Sequence, residues 1–143
     1  MSVKQLSVFA ENRPGAVVDI TDVLADENID IRAMNIADTQ DFGIVRLIVS
    51  DTEKGRIALK AAGSVVSVTD VVCVVMPDRP GALGDIIRLL AKNAVNIEYM
   101  YAFLAANRDH ALVVFRVSDN EKTEALLSEN GVTIASDEDI REL

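Results

Sequence analysis

One short stretch is written twice in this chain, and that repetition limits what it can fold into more than any other feature. Asn12-Arg13-Pro14-Gly15-Ala16 returns sixty-six residues later as Asp78-Arg79-Pro80-Gly81-Ala82. Each copy follows an apolar run, Leu6 to Phe9 and Val71 to Met76, and each precedes apolar residues at helical spacing. A strand that turns through Pro-Gly straight into a helix leaves the first helical N–H groups unpaired and facing outward. Such an end suits a small anion, for example a carboxylate, although a single copy would be no more than a tight connection.

The repetition extends well beyond the turn. Ten of the 24 positions from Arg13 to Ile36 recur unchanged at the offset of 66: Arg13, Pro14, Gly15, Ala16, Asp19, Ile20, Leu24, Ala25, Ile31 and Met34. Further on, Ser50-Asp51-x-Glu53-Lys54 meets Ser118-Asp119-x-Glu121-Lys122 at an offset of 68, so the second copy has a hairpin loop two residues longer. The chain is a tandem duplication of a unit of about 70 residues, read here as 1–69 and 70–143.

Each unit reads in the same order. In the first, Val3 to Phe9 is a strand, and Val17, Ile20, Val23 and Leu24 line one face of a helix ending near Asn28. Extended runs follow from Ile29 to Ala37 and from Ile44 to Val49, with a hairpin turn predicted over Asp38 to Gly43. Ser50 with Glu53 fits a capping box opening a second helix, Gly63 is a helix stop, and Val65 to Val68 begin a fourth strand that can run on past Asp70. The second unit repeats this, with its hairpin turn at Asn107-Arg108-Asp109, its box at Ser118 and Glu121, and a helical turn in the acidic tail. The order βαββαβ predicts an α+β fold: two ferredoxin-like units in tandem, each an antiparallel sheet with both helices on one face. Such a sheet has a bare face and open edges, so a homodimer is expected to cover them.

Composition excludes several classes of partner. A formal charge of −9 argues against nucleic acid and anionic membrane surfaces, which need a basic patch. No apolar run approaches membrane-spanning length and the start lacks a signal-peptide layout, so the chain reads as cytoplasmic. Cys73 is the only cysteine, in an apolar run where it serves as a small buried hydrophobe, and with His110 as the lone histidine no metal site is expected. No cofactor is expected, since the usual phosphate loops and nucleophile triads are missing.

An apolar strand ending in Asn-Arg-Pro-Gly-Ala or Asp-Arg-Pro-Gly-Ala, then a helix, then Asp-Ile or Asn-Ile opening the next strand, resembles the ACT domain. The likeness covers the whole chain, as two consecutive ACT domains with nothing else attached. It implies a regulatory module that binds a free amino acid or similar small molecule at an interface between two domains. The ligand would be held by the loop after the first strand and by the start of the second. In the serine-regulated branch an Asn stands at each of these places. Here they are Asn12 and Asp30 in the first unit and Asp78 and Asn96 in the second, which departs from the double-amide pattern.

The resemblance thus implies a seat made by Asn12, Arg13, Pro14, Gly15, Ala16, Val17, Asp30 and Ile31 in one unit. Its counterpart holds Asp78, Arg79, Pro80, Gly81, Ala82, Leu83, Asn96 and Ile97. Carboxylates accept only, so Asp30 and Asp78 suit an ammonium group, while an Asn can also donate to a ligand carboxylate. Tyr99 and Tyr101 share one face of a strand where the first unit has Ala33 and Asn35. They either wall the second pocket or form an aromatic pair at an interface. Arg13 and Arg79 either bind a carboxylate or pair with a nearby Asp. The function these expectations describe is a non-catalytic regulator whose amino-acid ligand changes domain packing, which a regulated enzyme or other protein partner reads. The rivals are a small enzyme on the same fold and a structural adaptor with no ligand.

Overall fold

The structure, a computed structural model, describes residues 2–38, 42–104 and 109–143. The two hairpin turns predicted around residues 39–41 and 107–108 therefore lie outside the described residues. The chain divides into two compact units. One holds Lys4–Thr69 with the last residues, Ile140–Leu143; the other holds Asp70–Asp139 with the first residues of the chain.

In the first unit, β1 (Val3–Glu11) leads into α1 (Ala16–Asp26), β2 (Ile31–Asp38), β3 (Phe42–Val49), α2 (Thr52–Ala61) and the first part of β4 (Val66–Pro77). The strand order is β2-β3-β1-β4. The second unit takes the remainder of β4, then α3 (Ala82–Lys92), β5 (Ile97–Ala102), β6 (His110–Val117), α4 (Asn120–Glu129) and β7 (Thr133–Ala135), with α5 (Asp137–Arg141) after it. Its order is β5-β6-β4-β7, the same arrangement. In both units pairings such as Leu6↔Leu47, Met34↔Leu47, Val72↔Phe115 and Met100↔Phe115 are antiparallel. Each unit is a ferredoxin-like βαββαβ sheet, and the fourth strand of one runs without interruption into the first strand of the other.

The helices bury what the sequence repeats. Ala16, Ile20 and Leu24 of α1 fall four residues apart and face the sheet; Ala82, Ile86 and Leu90 of α3 do the same. Ile20 and Leu24 pack on Leu6, Val8, Val45 and Leu47 in the first unit, and Ala82, Ile86 and Leu90 on Val72, Val74, Val113 and Phe115 in the second. Each fully buried Leu, Ile, Val or Phe among them contributes about 1.5–3 kcal/mol. Gly63 closes α2 with φ +94°, as the helix-stop signal predicts.

The capping boxes are set one residue later than expected. Asp51, not Ser50, caps α2, its carboxylate accepting from the Lys54 N–H at 3.1 Å; Asp119 does the same for α4 from Lys122 at 3.1 Å. Ser50 is engaged elsewhere, its hydroxyl accepting from the Asp30 N–H at 2.9 Å, and Glu53 turns to Arg56. A carboxylate accepts a backbone N–H more strongly than a hydroxyl, which settles which residue caps. Asp119→Ala is expected to cost about 1 kcal/mol in urea unfolding and Ser118→Ala close to nothing. The reverse order would put the cap back on serine. A reciprocal box does form at the tail, where Ser136 and Asp139 exchange N–H bonds at 2.8 and 3.2 Å and start α5.

Candidate functional site

The repeated turn has the same geometry twice. The Arg13 N–H donates to the Glu11 carbonyl at 2.9 Å and the Ala16 N–H to the Arg13 carbonyl at 3.3 Å; the matching bonds at Arg79 and Ala82 are 3.1 and 3.2 Å. Gly15 and Gly81 sit in the left-handed region, at φ +88° and +86°, where a side chain is disfavoured. Among the described residues neither α1 nor α3 has a side-chain cap, unlike α2 and α4. The first ladder bonds are Asp19 to Gly15 and Asp85 to Gly81. The N–H groups of Val17 and Val18, and of Leu83 and Gly84, therefore carry the positive end of each helix without a helical acceptor.

Beside each turn lies an open cleft, about 360 Å³ in the first unit and about 460 Å³ in the second. Their walls correspond residue by residue. Phe9, Arg13, Ala16, Asp19 and Ile20 match Val75, Arg79, Ala82, Asp85 and Ile86 at the offset of 66. Phe42 and Gly63 to Val65 match His110 and Gly131 to Thr133 at the offset of 68. The loop before the fourth strand joins the site because β4 and β7 lie beside the strand that leads into each turn. These loop residues, with Phe42 and His110, were not expected from the sequence. Strand register brings Phe42 and His110 there, setting Glu11 opposite Phe42 and Pro77 opposite His110.

The arginines are partnered. Arg13 donates to Glu11 at 3.1 Å, to Asp19 at 3.2 Å and to the Pro14 carbonyl at 3.4 Å. Its hydrogen bonds to Asp19 first and Glu11 next push its pKa above the already high ordinary value. Arg79 meets Asp85 at 3.6 Å and the Pro80 carbonyl at 3.3 Å. Both guanidinium groups remain about half exposed at the cleft mouth.

The other residues expected at the seat are placed as follows. Asn12 and Val17 line a smaller hollow of about 150 Å³ with Arg13 and Ile36. Pro14 and Pro80 are exposed on their turns, Asp78 donates its N–H to the Asp109 carbonyl at 3.1 Å, and Leu83 is exposed on α3. Asp30 and Asn96 are not beside the turns of their own units. Asp30 is bonded to Ser50, while the turn end of β1 lies opposite Phe42, eight residues away along β3. At about 3.3 Å per residue that is roughly 26 Å. Asn96 precedes Ile97, opposite Val117, seven residues along β6 from the His110 that faces Pro77.

The reason is topological. The first and second strands of each unit both run antiparallel to the third, hence parallel to each other, so one begins where the other does and not where it ends. No pairing of Asn12 with Asp30, or of Asp78 with Asn96, exists inside a unit. The Asp30 carboxylate is also occupied by Arg32 at 2.6 Å. Ile31 and Ile97 are half buried against their cores.

Tyr99 and Tyr101 do not wall the cleft at Gly81. Their rings stack at 6.4 Å and 22°, and they flank Met100, the β5 residue that faces the helices, so they lie on the opposite face of the sheet. Cys73 is buried, and desolvation with Asp137 and Glu124 pushes its thiol pKa far up, so no thiolate nucleophile arises there. Among the described residues no group of three or more His, Cys, Asp or Glu side chains is arranged to hold a metal, and no helix is long and apolar enough to cross a membrane.

A family model described as an ACT domain pair matches residues 1–143. Among solved structures, the protein BT0572 from Bacteroides thetaiotaomicron is 43% identical, with a TM-score of 0.93 over 100% of this chain and 98% of that one. The ligand-free regulatory subunit of aspartate kinase from Thermus thermophilus is similar in fold, at 16% identity and a TM-score of 0.70 over 92% of each chain. The corresponding subunit from Thermus flavus has 17% identity and a TM-score of 0.62 over 90% of each. No curated protein sequence matches.

Proposed function

We propose, because this chain belongs to the ACT domain pair family, that it is a regulatory protein which binds a free amino acid or a similar small zwitterion at its repeated turns. The observation that carries this reading is the duplicated cleft. Two units separated by many substitutions keep the same left-handed glycine, the same uncapped helix start, the same arginine at the mouth and matching walls. A ligand carboxylate can accept from the free N–H groups and the arginine. Its ammonium can be held by Asp19 or Asp85, and an aliphatic portion can rest on Ile20 or Ile86.

Asp30 and Asn96 enter the site only from another domain, since each lies at the far end of its own sheet. A homodimer would bring them to a second copy's seat and make ligand binding alter how the copies pack, which a regulated enzyme or other partner can read. The chain itself is taken to be non-catalytic and to work in the cytoplasm.

A thermal-shift screen against the twenty amino acids at millimolar concentration tests the reading. A ligand at a hundred times its Kd stabilises by about 2.7 kcal/mol, so at least one amino acid is expected to raise the midpoint by several degrees. A folded sample that responds to none of them contradicts it.

A further inference from the structure

The two clefts share their polar turn and differ in their apolar wall. Three large hydrophobic side chains that stand exposed line the first cleft: Phe9 and Phe42, each 56% exposed, and Val65 at 65%. The matching positions of the second cleft hold Val75, His110 and Thr133, and among the described residues no exposed large hydrophobic lines it. The sheet itself gathers the three. Phe9 pairs with Ile44 on β3, which sets Phe42 diagonally across from it on the same face, within reach of an aromatic ring. The Phe9 N–H donates to the Val65 carbonyl at 3.1 Å, which holds the loop before β4 beside them. A lone exposed apolar side chain is ordinary, but several lining one cleft beside polar groups mark a binding surface.

We propose that the first cleft seats an amino acid with a large apolar side chain, aromatic or branched aliphatic, and that the second does not. This rests on the reading of the clefts as ligand seats. The turn and its charged neighbours hold the ligand's ionic end, which leaves its side chain to lie along Phe9, Phe42 and Val65. Covering those groups drives binding, and an aromatic side chain gains further from offset or edge-to-face contact with the two rings. A side chain bearing a second carboxylate gains nothing there, since Arg13 is already bonded to Glu11 and Asp19 at 3.1 and 3.2 Å. In the second cleft Val75 is half-buried, and an apolar side chain would cover the polar atoms of His110 and Thr133 without replacing their bonds to water.

Calorimetric titration of the full chain with L-phenylalanine, L-leucine, L-alanine and L-glutamate tests this. The expected result is one site per chain for phenylalanine or leucine, bound at least about tenfold tighter than alanine or glutamate. Phe9→Val and Phe42→His install the residues of the second unit at exposed positions. Combined, they should weaken binding of the apolar amino acid about tenfold and leave the melting point near that of the parent chain. The converse pair, His110→Phe with Thr133→Val, should add a second site for the same ligand. Equal binding of all four amino acids, or an unchanged preference in the Phe9→Val, Phe42→His chain, overturns the side-chain assignment while leaving the amino-acid seat standing. So does a change in that chain's sedimentation without a change in its preference, which would make the two phenylalanines a contact between copies. Binding by none of the four overturns both.

Discussion

Phe115→Ala is expected to lower stability by about 3–5 kcal/mol, the largest single effect in the molecule. Phe115 is fully buried at the centre of the second unit, opposite Val72 on one side and Met100 on the other, and packs with Leu90 and Leu127. Truncation removes the ring's transfer energy and leaves a cavity bounded by two helices and three strands, which cannot collapse without breaking the ladders. The first unit has Leu47 at the matching position, so Phe115→Leu should cost less than about 1.5 kcal/mol. Urea unfolding followed by circular dichroism measures both. A Phe115→Ala loss below about 1.5 kcal/mol would mean that the core is not organised around this ring.

The second large effect is expected at the repeated turn. Gly81→Val should destabilise by about 1–3 kcal/mol and reduce ligand affinity more than tenfold. Space is not the obstacle, since a Cβ there would meet nothing closer than the Arg79 Nη1 at 4.0 Å. The obstacle is φ +86°, which a β-branched residue adopts only under strain. Relief of that strain rotates the turn and reorients the Leu83 and Gly84 N–H groups at the start of α3. Gly84→Ala on the same helix is the counter-experiment. Nothing lies within 4 Å of its Cβ and it sits inside α3, so it should stabilise by about 0.5–1 kcal/mol. Parallel unfolding and titration of the two variants separate the backbone requirement at residue 81 from a general sensitivity of the helix. Wild-type stability and affinity in Gly81→Val would remove the turn from the site.

Much of the fold could be read from the repeat, because the same order of periodicities occurred twice and each copy checked the other. The continuity of β4 across the boundary was legible in the apolar residues on both sides of Asp70, Val65 to Val68 and Val71 to Met76, with no Gly or Pro between them. The caps were misplaced by one residue because Ser and Asp, both capping residues, stand side by side in Ser50-Asp51 and Ser118-Asp119; the carboxylate is the stronger acceptor, and in the first unit the Asp30 N–H also holds Ser50. At the site, the turn and its arginines were visible as a motif. The cleft wall from Gly63 to Val65 was not, since it is separated from Arg13 by some fifty residues and meets it only through strand order.

The placement of Asp30 and Asn96 shows a different limit. Their position at the head of a strand was correctly read, but periodicity does not say which end of the sheet that head occupies. The parallel relation of the first and second strands does, and it puts them far from the turns of their own units. Similarly, the tyrosine spacing showed that Tyr99 and Tyr101 share a face, and only the core composition around Met100 shows which face it is.

Backbone amide NMR reports directly whether ligand sits in the cleft beside the repeated turn. The full chain is titrated with the amino acid that raises its melting point most. The largest shifts are expected on Gly81, Ala82, Leu83 and Gly84 or their counterparts Gly15 to Val18, with Gly131 to Thr133 or Gly63 to Val65 moving alongside. Saturable shifts confined to the strand face of Tyr99 and Tyr101, with both turns unmoved, would contradict that placement.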